Sequence, residues 1–141
     1  MYIYYLQVGC SPPVVPLLQS KYPEYFNETV PISTIIDRLK TDHRPEELKG
    51  FVSENNQSLG ELFIGFFRFY SSFDWKKVIS IRRSNATVSN RRTHILIEDP
   101  YESCGNSARG IYQSNGFNEI KRAFSEASRK LEDDLSLDNI L

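Results

Sequence analysis

Ser58-Leu59-Gly60-Glu61-Leu62-Phe63-Ile64-Gly65-Phe66-Phe67-Arg68-Phe69-Tyr70 decides how the chain folds. Ser58 followed three residues later by Glu61 is a capping box, in which each side chain accepts the other's backbone N–H at a helix start. The residues that follow, Leu59, Leu62, Phe63, Ile64, Phe66, Phe67 and Phe69, are apolar nearly all round a helical repeat. A helix over about 59–72 is predicted, buried on most sides. Gly60 and Gly65 each cost about 1 kcal/mol against alanine inside a helix. Both are therefore expected where a neighbouring segment comes close.

Working outward, residues 1–8 read as the end of a helix that ought to begin earlier, because Tyr2-Ile3-Tyr4-Tyr5-Leu6 is apolar and has no cap. Tyr2, Tyr4 and Tyr5 are expected in the core. Pro12, Pro13 and Pro16 require an extended segment. Residues 32–40 place Ile32, Ile35, Ile36 and Leu39 on one helical face. Downstream, 78–82 and 94–98 are rich in β-branched residues and read as two strands. The polar connection between them predicts a hairpin with a mobile loop. Residues 116–131 form a last amphipathic helix through Phe117, Ile120, Phe124, Ala127 and Leu131. The expected fold is α+β, mainly α-helical with a small β-hairpin, in a single domain over 1–141. Residues 131–141 are its acidic tail, with a final turn that docks Leu137 and Leu141.

Composition fits one modest domain. The chain has 141 residues, 40% of them hydrophobic and 13% aromatic, enough for a packed core. A net charge of −1 gives no global attraction to nucleic acid or anionic lipid. The apolar stretches are too short to span a bilayer, so no membrane partner is expected. Val8-Gly9-Cys10 lacks the basic leader and apolar core of a lipoprotein signal. The sequons at Asn27, Asn56 and Asn85 read as chance matches, and Cys10 and Cys104 as free thiols.

Two stretches carry candidate chemistry. In the first, Ile95-Leu96-Ile97 delivers Glu98 and Asp99 to a turn at Pro100, followed by Glu102, Gly105-Asn106 and Arg109. Proline cannot extend a ladder, so the chain turns there, and such tips often carry recognition groups. The rival reading is that Asp99 and Glu102 cap the helix that follows. The second stretch runs from Trp75 to Ile97 and holds Lys76, Lys77, Arg82, Arg83, Arg91 and Arg92 with no Asp or Glu. It is either a phosphate-binding patch or a solvated hairpin face. His94 reads as a partly buried structural residue, since no second ligand sits at metal-binding spacing.

The recognition stretch resembles the nucleotide-recognition loop of the poly(A) polymerases and terminal uridylyltransferases that carry the PAP-associated domain. Four further stretches match that family in order: 1–7; Pro12 to Gln19; Ser58 to Tyr70; and Phe73-Asp74-Trp75 with Val78-Ile79-Ser80-Ile81-Arg82. The resemblance covers roughly residues 1–130 and implies the C-terminal segment of the poly(A) polymerase-like central domain. It puts Asp99 and Glu102 at the acidic positions that orient the base, and Asn106 and Arg109 at the polar positions beyond. Members that prefer UTP typically have a His where Gly105 stands. Glycine leaves a larger pocket, which leans toward ATP or toward relaxed choice. Poly(A)-type members often have this loop one residue shorter.

The family's catalytic half holds the triphosphate on a Gly-Ser turn and binds two Mg²⁺ or Mn²⁺ ions through an Asp-x-Asp pair and a third Asp. Neither Gly-Ser nor Asp-x-Asp occurs in this chain, and clamping both ions needs those carboxylates. The family's base-stacking tyrosine and phosphate-gripping lysines also lie upstream of Met1. The resemblance therefore implies a nucleotide-recognition, RNA-facing domain of a template-independent RNA 3′-terminal nucleotidyltransferase that uses ATP or UTP. Alone, without the palm, it is expected to be inactive and to hold no metal. The expected partners are an RNA 3′ end, a nucleotide, and the catalytic half or a protein adaptor. The expected location is intracellular, cytoplasmic rather than nuclear. The alternative is a non-catalytic adaptor or regulator that keeps the fold and binds RNA or protein.

Overall fold

A computed structural model describes residues 1–26, 29–41, 43, 45–83, 93–102 and 105–134. The tail beyond 134, Arg91, Arg92, Cys104, Asn27, Asn85 and most of the 83–93 connection lie outside the described residues. A short helix α1 (Tyr2–Tyr4) runs into a π-helical turn (Tyr5–Gly9). Short helices α2 (Leu18–Lys21) and α3 (Pro23–Phe26) precede α4 (Ile32–Lys40) and α5 (Glu46–Lys49). The two main helices are α6 (Leu59–Ser71) and α7 (Ser114–Asp134).

The capping box of α6 forms as its sequence dictates. Ser58 Oγ accepts from the Glu61 N–H at 3.2 Å, and Glu61 Oε2 accepts from the Ser58 N–H at 2.7 Å. Helix α7 packs along α6, and aromatic rings fill the seam. Phe124 lies 5.7 Å from Phe66, 5.3 Å from Tyr70 and 5.9 Å from Trp75, centroid to centroid. Tyr70, Ile79 and Leu131 are almost fully buried. The Tyr70 hydroxyl donates to the Met1 carbonyl at 2.9 Å, which ties the first turn to α6. Burial, with Tyr4 beside it, pushes the Tyr70 hydroxyl pKa well up. Tyr4 and Tyr5 are buried as expected, and Tyr2 is half-buried.

The two glycines of α6 differ. A β-carbon at Gly65 would collide with the Tyr5 hydroxyl, so this glycine does admit a neighbour. Gly60 has nothing within 4 Å of where its β-carbon would stand, so the expected close approach there is absent among the described residues. Helix α6 is also less covered than its sequence predicts. Leu59 is 78% exposed, and Leu59, Phe63 and Ile64 face an apolar groove of about 730 Å³ with Tyr2 and Leu131. Helix α4 likewise buries only Ile35 and leaves Ile32, Ile36 and Leu39 exposed.

The expected hairpin does not form among the described residues. Ile79 and Ile97 make an isolated bridge, and it is parallel rather than antiparallel. The Ile79 N–H donates to the Leu96 carbonyl at 2.9 Å, and the Glu98 N–H to the Ile79 carbonyl at 3.0 Å. The other edge of 95–97 carries no strand either. The Asn106 side-chain amide takes the place of a strand there, accepting from the Ile97 N–H at 3.1 Å and donating to the Ile95 carbonyl at 3.0 Å. A side chain satisfies these groups without extending a ladder.

Candidate functional site

Residues 95–109 form a loop braced by its own polar groups. Asn106 is its keystone: besides its bonds to Ile95 and Ile97, its Oδ1 accepts from the Ala108 N–H at 2.9 Å. The Ser107 N–H reaches the Ile97 carbonyl at 2.9 Å, and the Asp99 N–H reaches the Gly105 carbonyl at 3.2 Å. The chain thus doubles back, with Glu98 and Asn106 bridged antiparallel.

Asp99 closes the tip. Its Oδ1 accepts from the backbone N–H groups of Tyr101 at 2.8 Å and Glu102 at 2.9 Å. Those two bonds hold its carboxyl below the usual aspartate range, with Arg109 and Arg82 adding smaller favourable charge. Asp99 therefore caps a turn, as a short acidic side chain does. Neither it nor Glu102 caps a helix, since the next helix begins only at Ser114. The turn engages one oxygen of a carboxylate that has about four acceptor positions. Glu102 and Arg109 are exposed.

Gly105 lies between the two acids. A β-carbon there would stand 2.9 Å from Asp99 Cβ and 3.3 Å from Glu102 Cβ. The structure thus brings the β-carbons of both acids against one glycine. It also bears on a histidine at this position: the loop must shift to accept any side chain.

Behind the tip sits Glu98, whose partners sequence reasoning missed. Burial alone would raise its pKa, but a bond from Ser80 and the charges of Arg83 and Arg82 bring it below the usual range. Arg83 Nη2 stands 2.6 Å from Glu98 Oε1, and Arg82 Nη1 3.9 Å. Ser80 Oγ donates to Glu98 Oε2. Two of the six basic candidates are thus paired with an internal carboxylate, a contact invisible in a stretch that itself contains no acid. The alternation Ser80–Arg82 facing Glu98 was the available signal. Lys76 and Lys77 are exposed on the turn after α6, where both backbone N–H groups bond to Asp74. Arg91 and Arg92 lie outside the described residues.

No metal ligand set accompanies the loop. Among the described residues no group of three or more His, Cys, Asp or Glu could hold an ion. No helix of the described residues is long and apolar enough to cross a membrane.

The profile of the family described as "Cid1 family poly A polymerase" matches residues 58–104, from the α6 cap into the loop that holds Asp99 and Glu102. Poly(A) RNA polymerase GLD2-A of Xenopus laevis is 32% identical over 148 residues, covering 100% of this chain and 28% of that protein. The zebrafish (Danio rerio) poly(A) RNA polymerase GLD2 is 34% identical, covering 94% of this chain and 27% of its own length. This chain thus spans just over a quarter of the length of these relatives. Among solved structures, the GLD-2/RNP-8 complex superposes with a TM-score of 0.71 at 29% identity, covering 99% of this chain and 42% of that one. The Cid1 poly(U) polymerase bound to Mg 3′-dATP gives 0.74 at 28% identity, covering 99% and 44%. With the fold, the family profile and the relatives in agreement, the chain belongs to the Cid1 family of poly(A) polymerases, over the PAP-associated segment.

Proposed function

We propose that this chain is the nucleotide-recognition half of a template-independent RNA 3′-terminal nucleotidyltransferase, inactive without a catalytic half. One observation carries the reading. Asp99 and Glu102 flank Gly105 on a braced loop, at the end of the segment that matches the family profile. A base edge with N–H donors meets two acidic acceptors there, and the rigid turn holds one of them in place. Asn106 acts through the loop it ties rather than at the base. Arg109 supplies positive charge near Asp99. The absence of a side chain at Gly105 favours ATP or relaxed choice over strict UTP choice.

The catalytic half would supply Mg²⁺ or Mn²⁺ and the triphosphate grip. This chain would contribute base choice and, through Lys76 and Lys77 with the 91–92 arginines, contact to RNA. A protein partner is also proposed, since the similar GLD-2 is solved in complex with RNP-8.

The test is extension of a labelled RNA 3′ end. With Mg²⁺ or Mn²⁺ and ATP or UTP, the 141-residue chain should extend nothing; joined to a family catalytic half, it should support extension. Activity of the chain alone, surviving controls for contaminating polymerase, would refute the division of labour. A well-folded fusion that stays inactive would count for the adaptor alternative.

A further inference from the structure

A second cleft, of about 390 Å³, lies between the turn after α6, residues 93–96 and the first turns of α7. We infer that it is a subsite for one nucleotide unit of a single-stranded RNA, an inference that rests on the RNA-facing reading above. Its wall is a short aromatic column. The His94 ring lies parallel on Phe117, 5.0 Å between centroids and 12° between planes. Trp75 meets the edge of Phe117 at 5.8 Å. The His94 Nε2 and Ser114 Oγ stand 3.3 Å apart, which fixes the imidazole's orientation.

Positive charge stands on this column. Lys121 Nζ lies 4.7 Å from the Phe117 centroid, and Lys76 lines the opposite wall. Stacked aromatic planes flanked by cations are what a single-stranded nucleic acid needs, since every base has a π-face and every link a phosphate. A base laid on His94 continues the existing stack, and Lys76 and Lys121 give the cleft the positive charge that attracts its phosphate. Asp74 is the carboxylate in the cleft; one of its oxygens is held by the Lys76 backbone N–H at 3.1 Å. It repels a phosphate on its own side, so the strand is expected to pass on the Lys121 side. None of these residues belongs to the 97–109 loop, so this subsite and base choice can be tested separately.

Trp75 is the chain's single tryptophan and lines the cleft, so its emission responds to what enters there. The experiment titrates the 141-residue chain, at submicromolar concentration and low salt, with a 15-nucleotide oligo(A) RNA and separately with ATP. RNA should quench Trp75 saturably at concentrations where ATP does not. The K76A/K121A double variant, altered only at surface lysines, should bind at least tenfold more weakly. Its salt dependence should flatten by about 1.4 in log–log slope, two single-strand phosphates' worth. His94→Ala should reduce quenching while the circular dichroism spectrum is unchanged. RNA binding that leaves Trp75 emission unmoved and ignores the lysine changes would overturn the subsite while the RNA-facing reading survives. Equal quenching by ATP would also overturn it, because the cleft would then take free nucleotide. Absence of any RNA binding would overturn it too, and the extension assay on the fused protein would decide the wider reading independently.

Discussion

Glu98 sits where Ser80, Arg82 and Arg83 converge, and its side chain is only 12% exposed. A carboxylate so placed stabilises the pairing of 79–83 with 95–98 only while it is charged. Its pKa is lowered in the folded chain. The contribution is therefore present above the ordinary glutamate range and is lost as pH falls through the lowered value. Glu98→Gln keeps the shape but removes the charge, and should cost about 1.5–3 kcal/mol, the range for hydrogen bonds to charged groups. Urea unfolding at neutral pH reads this, and the difference from wild type should shrink in acid. Asp99 has the same sign of pH dependence by a different cause, its bonds to the Tyr101 and Glu102 N–H groups. Those two amide resonances should titrate together below the usual aspartate range; titration at the ordinary value would mean the turn is not formed in solution. The acids of the loop were legible in the sequence, because Asp-Pro after an apolar run marks a turn. The keystone role of Asn106 was not legible, because a side chain standing in for a strand leaves no periodic pattern. Nor was the crowding at Gly105, which depends on how the loop folds back. Gly105→Ala should accordingly disturb base choice almost as much as Gly105→His, since either β-carbon displaces Asp99.

At the scale of elements, the two glycines of α6 separate packing from propensity. Gly65→Ala drives a methyl group into the buried Tyr5 hydroxyl and should destabilise by about 1–3 kcal/mol, as overpacking does. Gly60→Ala meets nothing and should stabilise the isolated chain by up to about 1 kcal/mol through helix propensity. Thermal unfolding of both variants checks this pair; equal destabilisation would mean that the groove beside Gly60 is filled in solution. Helices α4, α6 and α7 were legible because capping and periodicity are local signals. The hairpin was misread because two β-branched runs joined by a polar segment do not specify direction. The two runs meet in parallel at Ile79 and Ile97, while Asn106 holds the outer edge of 95–97. Short helices α2, α3 and α5 lie in a stretch whose turns follow from Pro23 and Pro45 and were passed over.

For the molecule as a whole, two apolar faces remain open, the groove beside α6 and the outer face of α4. Large exposed apolar patches mark surfaces that are covered in the working assembly. The isolated chain should therefore bind a hydrophobic dye and self-associate at micromolar concentration. A monodisperse monomer by sedimentation that ignores the dye would count against this. The relatives extend well beyond the segment described, which spans 28% of the frog protein. The central claim is that the loop around Asp99 and Glu102 chooses the base, and the most direct test is the ratio of kcat/KM for UTP over ATP. It is measured on this segment joined to a catalytic half, as wild type, Asp99→Ala and Glu102→Ala. Each substitution removes a charged acceptor, worth on the order of 1.5–3 kcal/mol if it contacts the base. The account predicts that both variants shift the ratio by about tenfold or more; three ratios that agree within error would show that residues 97–109 do not recognise the base.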